Sequence, residues 1–226
     1  MGEKRKRTKI KEDSVVVIGL GRFGSQVADS LVRLGHEVLG IDQDHKIVQL
    51  WADRLTHVVQ ADATDSETLR QLGVADFSRA VVGIGTGIEA SVLTVLTLAE
   101  IGVEDIWAKA TSAKHGKILS AVGAHHVIYP EAAMGDRVAH LITSRMLDFI
   151  EFDDRFALAM TRVPPSATNR TLRDLGLRSR FGITVVGVKR PGEDFVFAEP
   201  DSVVPADGVL IVAGTADQVQ RFAATT

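Results

Sequence analysis

Short runs of apolar residues alternate with helix-length segments over the first 130 residues of the chain. The runs are aliphatic at successive positions rather than at every second one, which is typical of strands buried on both faces of a parallel sheet. This alternation predicts an α/β fold built on a doubly wound, Rossmann-like parallel sheet. The predicted strands are residues 14–18, 37–42, 57–60, 80–84, 105–109 and 126–129, with intervening helices such as 24–34, 65–72 and 89–101.

The pattern changes after residue 130. Apolar side chains recur at helical spacing over residues 131–150, at Val138, Leu141, Ile142 and Met146. They predict one long helix, which either covers the sheet or crosses to another domain. Beyond Phe152, short apolar runs between proline and glycine turns predict a small α+β domain. Its predicted strands are residues 156–163, 183–189, 195–198 and 209–212, and its predicted helices are residues 171–177 and 216–222.

Four segments follow from these patterns. They are a basic tail (residues 1–13), a Rossmann-like nucleotide-binding domain (14–131), a crossover or linker helix (132–152) and a C-terminal domain (153–226).

Charge and composition narrow the classes of function. The tail holds six lysines and arginines, so the rest of the chain is acidic although the formal net charge is only −3. The tail is either a solvated arm or a contact for anionic lipid or an acidic partner, and the acidic body argues against nucleic acid. The longest apolar region, residues 80–103, is broken by glycines and Glu89, so a soluble protein is expected. The lack of cysteine excludes disulfides, thiolate metal sites and cysteine nucleophiles.

A glycine motif gives the first indication of a ligand. The stretch VVVIGLGRFG ends the first predicted strand and opens a helix, with Gly19, Gly21 and Gly24 spaced as G-x-G-x-x-G. Such a loop lets backbone amides and a helix N-terminus approach a pyrophosphate. Asp42 ends the second predicted strand, where a carboxylate accepts hydrogen bonds from ribose hydroxyls and repels a 2′-phosphate. NADP is therefore disfavoured, whereas NAD, ADP and ATP all remain.

Other residues at the ends of predicted strands face the same crevice. Asp62 follows the third strand and either recognises the base or caps the next helix, while Thr64 and Glu67 have the spacing of a capping box. Gly85 and Thr86 follow the fourth strand. Arg22 adds a fixed positive charge inside the glycine loop, which suits a polyphosphate.

The distribution of acid and base groups argues against an enzyme. Hydride transfer needs a proton-transfer group near the strand ends, and most of the seven histidines fall where strands or helices begin. The sequence also shows no Ser-His-Asp set, no H-E-x-x-H motif and no P-loop.

The ordered stretches VVVIGLGRFG, GHEVLGID, VVQADATD, VVGIGTGIEAS, IWAKA and GAHHVIYPE resemble the RCK (or KTN) domain family, which regulates potassium conductance. The resemblance extends from about residue 14 to the C-terminus, where RTLRDLGLRSRFGITVVGVKR looks like the RCK C-lobe, or TrkA-C domain. It is greatest to the KtrA-like, TrkA-related cytosolic regulatory subunits of bacterial potassium transporters.

The resemblance implies a nucleotide-sensing gating subunit without catalysis. ATP and ADP would be regulatory ligands, with NAD(H) as the ligand of a TrkA-type alternative and an NAD-dependent oxidoreductase as a weaker one. Arg22 would contact the terminal phosphates, and Glu131 would help to place Mg²⁺ or another cation beside them. The implied nucleotide-binding residues are Gly19, Leu20, Gly21, Arg22, Phe23, Gly24, Asp42, Gln43, Asp62, Ala63, Thr64, Ile84, Gly85, Thr86, Lys109 and Glu131.

The resemblance also implies an assembly and a second ligand. Homodimers would form an octameric ring in the cytoplasm, peripheral to the inner face of the membrane, beneath a KtrB-like potassium-conducting subunit. Some relatives bind cyclic di-AMP in the C-lobe, and the matching residues here are Leu172, Arg173, Leu177, Arg178, Ser179 and Thr184. Arg173 departs from the aliphatic pair of those relatives, so cyclic di-AMP is an open hypothesis.

Overall fold

The computed structural model describes residues 14–153 and 156–226, without the side chain of Asp153. The chain divides into two compact units, with unit 1 ending at Glu131 and unit 2 beginning at Ala132. The basic tail predicted over residues 1–13 lies outside the described residues.

Unit 1 is the predicted doubly wound sheet. Its six strands are all parallel and follow the order β3-β2-β1-β4-β5-β6. The order reverses between β1 and β4, which makes a crevice at the carboxyl ends of these strands. The strands are β1 (Ser14–Ile18), β2 (Glu37–Asp42), β3 (His57–Gln60), β4 (Arg79–Val82), β5 (Asp105–Lys109) and β6 (His126–Ile128). The helices are α1 (Arg22–Arg33), α2 (His45–Trp51), α3 (Ser66–Gln71), α4 (Ile88–Ile101) and α5 (Ala113–Ala121).

The burial of both faces of β1 explains why the sequence of such a strand is a continuous aliphatic run. Val16 and Ile18 pack into a cluster with Leu98 of α4, whereas Val15 and Val17 pack into a second cluster with Ala28 of α1. Since helices cover both faces, successive residues of the strand are buried. The predicted parallel sheet is therefore confirmed.

The predicted capping box at Thr64 and Glu67 is wrong. Asp65 is the N-cap of α3, and its carboxylate accepts hydrogen bonds from the backbone N–H groups of Glu67 and Thr68 at 3.2 and 3.3 Å. An aspartate caps as well as a threonine does, so the helix begins one residue later than the pattern indicated. The Thr64 hydroxyl instead donates to Asp62 at 2.7 Å, and Asp62 does not cap the helix either.

Unit 2 is a small antiparallel sheet with short helices, in agreement with the predicted α+β domain. Its strand order is β10-β9-β11-β8-β7. The strands are β7 (Met146–Asp153), β8 (Phe156–Arg162), β9 (Thr184–Lys189), β10 (Phe195–Phe197) and β11 (Val209–Gly214). The helices are α6 (Pro130–Thr143), α7 (Leu172–Leu175), α8 (Leu177–Phe181) and α9 (Ala216–Ala223). The first two residues of α6 belong to unit 1.

The long helix predicted over residues 131–150, and with it a linker helix over 132–152, is wrong in its second half. Helix α6 ends at Thr143, and residues from Met146 onward form β7. The Ser144 hydroxyl donates to the carbonyl of His140 and accepts from the backbone N–H of Met146 at 3.3 Å, so this N–H has a side-chain partner where the next helical turn would begin. Met146 and Phe149 are then buried in the core of unit 2 as strand residues.

The predicted helix over residues 171–177 is also divided. Gly176 adopts a left-handed conformation with φ of 54°, so it ends α7 and precedes α8. None of the helices in the described ranges is long and apolar enough to cross a membrane.

Candidate functional site

A cavity of about 520 Å³ opens at the carboxyl ends of the parallel strands of unit 1, where the strand order reverses. Fourteen of the sixteen residues predicted for nucleotide binding line it. They are Gly19, Gly21, Arg22, Phe23, Asp42, Gln43, Asp62, Ala63, Thr64, Ile84, Gly85, Thr86, Lys109 and Glu131.

The two remaining predicted residues, Leu20 and Gly24, build the glycine loop without lining the cavity. The Leu20 side chain is buried, and its backbone N–H donates to Asp42 Oδ2 at 2.7 Å. A Cβ on Gly24 would lie 1.9 Å from the carbonyl oxygen of Gly19, so α1 can pack this closely only with glycine there. Gly19 itself has a φ of +83°, which a side chain would strain.

The glycine loop leaves room for phosphate. Among the described residues, none beyond Gly21 and its chain neighbours places a heavy atom within 4 Å of the position that a Cβ on Gly21 would occupy. Gly21 is the N-cap of α1, no side chain caps the helix, and its first turn holds no acidic residue. The N–H groups of this turn and the positive end of the helix dipole therefore remain for an anion.

Asp42 connects the glycine loop to the end of β2. Its Oδ2 accepts from Leu20 N and its Oδ1 accepts from Asp44 N at 2.9 Å. Each carboxylate oxygen has two lone pairs, so both retain capacity for a ribose hydroxyl. The same carboxylate thus fixes the loop and can hold a sugar.

Residues after β2 and β3 form the far end of the cavity. Asp62 Oδ1 accepts from both the backbone N–H and the hydroxyl of Thr64, at 2.9 and 2.7 Å, which stiffens this loop. The sequence prediction did not include several residues that also line the cavity. Of these, Asp44 and Thr111 closely follow strand ends, a signal that could have found them. Ile47 lies within α2, and Ala90 and Thr94 lie within α4, so these three carried no such signal.

The near end of the cavity, beside the glycine loop, carries paired charges. Lys109 Nζ donates to Glu131 Oε1 at 2.5 Å and lies 5.7 Å from the centroid of the Phe23 ring. The Lys109 side chain is 12% exposed and that of Glu131 is 66% exposed. The hydrogen bond from Lys109, followed by one from the backbone N–H of Glu131, holds the pKa of Glu131 below its ordinary value. The charges of Lys109 and Arg22 lower this pKa further.

A second cavity, of about 260 Å³, lies in unit 2 and contains five of the six residues predicted for cyclic di-AMP: Leu172, Arg173, Leu177, Arg178 and Thr184. The sixth, Ser179, does not line it, and its hydroxyl donates to the Gly176 carbonyl at 2.8 Å.

The arginines of this second cavity already have partners. Arg173 donates to both carboxylate oxygens of Asp201, at 2.9 and 3.2 Å. Arg178 Nη2 donates to Thr184 Oγ1 at 2.7 Å. An anion entering here would therefore have to share Arg173 with Asp201.

Comparison with known proteins gives a family for both units. Residues 15–130 match the TrkA-N domain and residues 158–225 match the TrkA-C domain. The Ktr system potassium uptake protein C of Bacillus subtilis is 37% identical over 91% of this chain and 94% of its own length. The Ktr system potassium uptake protein A of the same organism is 33% identical over 95% of this chain and 97% of its own length.

Solved structures agree with this fold. The GsuK channel bound to NAD superposes with a TM-score of 0.64 at 18% identity over 92% of this chain, which spans only 38% of the GsuK chain. A GsuK structure bound to ADP gives a TM-score of 0.51 at 18% identity, covering 62% of this chain and 36% of its own. Since both domains match and identity to the Ktr proteins extends over nearly the whole length, the chain belongs to the TrkA (RCK) family and is KtrA-like.

Proposed function

We propose that this chain is a nucleotide-sensing regulatory subunit of a Ktr-type potassium transporter. The cavity of unit 1 would bind ATP and ADP, and the two nucleotides would favour different conformations of the assembly. The observation that carries the proposal is the charge arrangement at the near end of the cavity, where Arg22 and the Lys109–Glu131 pair lie beside an uncapped helix N-terminus.

The chemistry of the residues that line the cavity suggests the orientation in which a nucleotide would bind. The glycine loop suits the phosphates and Asp42 suits the ribose. With these two parts fixed, the base would lie among the residues that follow β2 and β3. The phosphate chain would extend toward Arg22 and Lys109, and its length would decide whether it reaches them.

The Lys109–Glu131 ion pair offers a way to distinguish the two nucleotides. A terminal phosphate near Lys109 would compete with Glu131 for the ammonium group. Glu131 could then hold Mg²⁺ together with phosphate oxygens, because Mg²⁺ is usually bound by one or two carboxylates plus phosphates. Within the described residues no group of three or more acidic or histidine side chains could hold a metal ion, so the cation would depend on the nucleotide. ADP would leave the ion pair intact.

Two alternatives use the same cavity. An NAD(H)-responsive regulator is supported by Asp42 and by the GsuK channel, which has been solved both with NAD and with ADP. An NAD-dependent oxidoreductase is less well supported. Among the described residues that line the cavity there is no histidine, and Lys109 and Glu131 bond to each other.

The assembly belongs to the same proposal. The names of the Bacillus subtilis relatives describe potassium uptake. We therefore infer a membrane-embedded, KtrB-like partner, with the chain in the cytoplasm as homodimers that form an octameric ring.

Cyclic di-AMP is a second proposed ligand, held by the cavity of unit 2. Its volume of about 260 Å³ is below the usual range of about 300–1,000 Å³ for ligand cavities. The cavity of one protomer would therefore enclose only part of a dinucleotide. A second protomer would have to enclose the rest in a shared site. The Arg173–Asp201 pair would weaken binding, because Asp201 competes with the phosphate.

Calorimetric titration of the full chain with ATP, ADP and NADH, with and without Mg²⁺, tests the principal proposal. We expect ATP and ADP to bind more tightly than NADH. Tight binding of NADH without binding of ATP would overturn it in favour of the NAD(H)-responsive alternative. NADH turnover that depends on an added substrate would instead indicate the oxidoreductase.

A further inference from the structure

Helix α4 carries three hydroxyl side chains on one face. Ser91, Thr94 and Thr97 follow one another at intervals of three residues, so they lie along the same side of the helix. Ser91 and Thr94 are fully buried and Thr97 is 6% exposed. This row faces the interior of unit 1, where hydroxyl groups need partners.

Two of the three hydroxyls lack a partner. Thr97 Oγ1 donates to the backbone carbonyl of Thr64 at 3.3 Å, which ties α4 to the loop after β3. Within the part of the chain that the structure describes, Ser91 Oγ and Thr94 Oγ1 make no hydrogen bond. Neither returns to a carbonyl of its own helix, as buried helical serines and threonines commonly do. An unpaired buried hydroxyl destabilises the fold, so each position calls for an explanation.

Only Thr94 of the two unpaired residues lines the nucleotide cavity. Ala90, one turn earlier on α4, lines it as well, and so do Ala63 and Thr64. Thr97, three residues further along the same side of α4, bonds to Thr64, so we place Thr94 at the end of the cavity that is formed by the loop after β3. This is the end assigned above to the base, because the glycine loop and Asp42 account for the phosphates and the ribose.

The Thr94 hydroxyl has a second rotamer available at no cost in hydrogen bonds. In the structure Oγ1 is almost inaccessible to solvent, with less than 1 Å² of exposed area. A rotation of about 120° around the Cα–Cβ bond moves the hydroxyl to the place of the methyl group or of the hydrogen, and threonine in a helix accepts two rotamers. Thr94 as a whole is 0% exposed, so a ligand would reach the hydroxyl only when the residues that cover it shift. No hydrogen bond to the protein would be lost in this rotation, because Oγ1 has none.

We propose that Thr94 is a base-recognition residue whose hydroxyl forms a hydrogen bond with the edge of a bound purine. The inference rests on the proposed nucleotide site and deepens it, because it assigns a polar contact to the base. The bond would be made only in the complex, which gives the unpaired hydroxyl its partner.

The test compares Thr94→Val with Ser91→Ala in the full chain. Valine has nearly the shape of threonine but lacks the hydroxyl. Ser91→Ala removes an equally buried and unpaired hydroxyl on the same helix, outside the cavity. Affinities for ATP and for ribose 5′-triphosphate, which has no base, would be measured by competition with a fluorescent nucleotide. Thr94→Ser, which keeps a hydroxyl, completes the set.

We expect Thr94→Val to weaken ATP about tenfold, as the loss of one hydrogen bond implies, and to leave ribose 5′-triphosphate unchanged. Ser91→Ala should bind both ligands like the wild type, and Thr94→Ser should recover most of the affinity for ATP. Neither Thr94→Val nor Ser91→Ala should lower the urea midpoint of unfolding relative to the wild type. Unchanged ATP binding by Thr94→Val, or an equal loss of both ligands, would overturn the assignment. No ATP binding by the wild type would instead overturn the proposed function.

Discussion

Gly24 offers the sharpest test of how the glycine loop is built. A Cβ at this position would lie 1.9 Å from the Gly19 carbonyl oxygen and 3.0 Å from the carbon of the same group. The peptide group that contains this carbonyl is held at its other end, since Leu20 N donates to Asp42 Oδ2 at 2.7 Å. Substitution would therefore push helix α1 away from the sheet by more than 1 Å.

We expect Gly24→Ala to destabilise unit 1 by about 3 kcal/mol, the upper end for overpacking of a fixed interior. This lowers the ratio of folded to unfolded protein more than a hundredfold. Gly21→Ala is the matched control in the same loop. A Cβ at Gly21 would meet no described heavy atom within 4 Å beyond its chain neighbours, and the φ of Gly21 is −64°. The stability of Gly21→Ala should therefore stay within about 1 kcal/mol of the wild type.

Urea unfolding followed by tryptophan fluorescence measures the stability of unit 1 in each variant, because both tryptophans, Trp51 and Trp107, belong to this unit. Titration with ADP then separates the roles of the two glycines. Gly21→Ala should weaken ADP at least about tenfold while the fold is retained, because the methyl group stands where phosphate approaches the backbone. Wild-type stability of Gly24→Ala, or wild-type ADP affinity of Gly21→Ala, would refute this account of the loop.

Three further predictions concern the charged groups. Lys109→Met should weaken ATP about tenfold more than ADP in calorimetry, since a charge-assisted hydrogen bond to the terminal phosphate is lost, while Lys117→Met on α5 should leave the ATP-to-ADP ratio unchanged. Because the pKa of Glu131 is lowered in the folded state, its contribution to stability is present above pH of about 4.5 and is lost as pH falls below this value. Urea unfolding from pH 7 to pH 3 should therefore show a difference in stability between the wild type and Glu131→Gln that shrinks toward the acidic end. A constant difference would contradict this expectation. Asp201→Asn should strengthen cyclic di-AMP binding several-fold by releasing Arg173, and weaker binding would show that Asp201 contributes to the site.

Much of unit 1 was predictable because several sequence signals coincide there. The aliphatic runs mark strands buried on both faces, and the glycine motif and Asp42 lie at the ends of two of them. Parallel strands bring their carboxyl ends to one edge of a sheet, so residues distant in sequence were expected in one cavity. Lys109 and Glu131 came from the family resemblance, and their mutual hydrogen bond could not be predicted because it depends on side-chain geometry.

The errors have local physical causes. The apolar residues of 131–150 have helical spacing, but the Ser144 hydroxyl accepts from the backbone N–H of Met146, and Met146 and Phe149 are buried in a strand. Thr94 went unnoticed because a threonine in an apolar helix has no sequence signal; only its burial without a partner beside the cavity identifies it.

The ratio of ATP to ADP affinity in the wild type and in Arg22→Ala tests the central claim most directly, namely that the cavity senses the terminal phosphate. Arg33→Ala, at the other end of helix α1, is the matched control. Calorimetry should show that Arg22→Ala weakens ATP about tenfold more than ADP, while Arg33→Ala leaves the ratio unchanged. Equal losses of ATP and ADP in Arg22→Ala would contradict the claim.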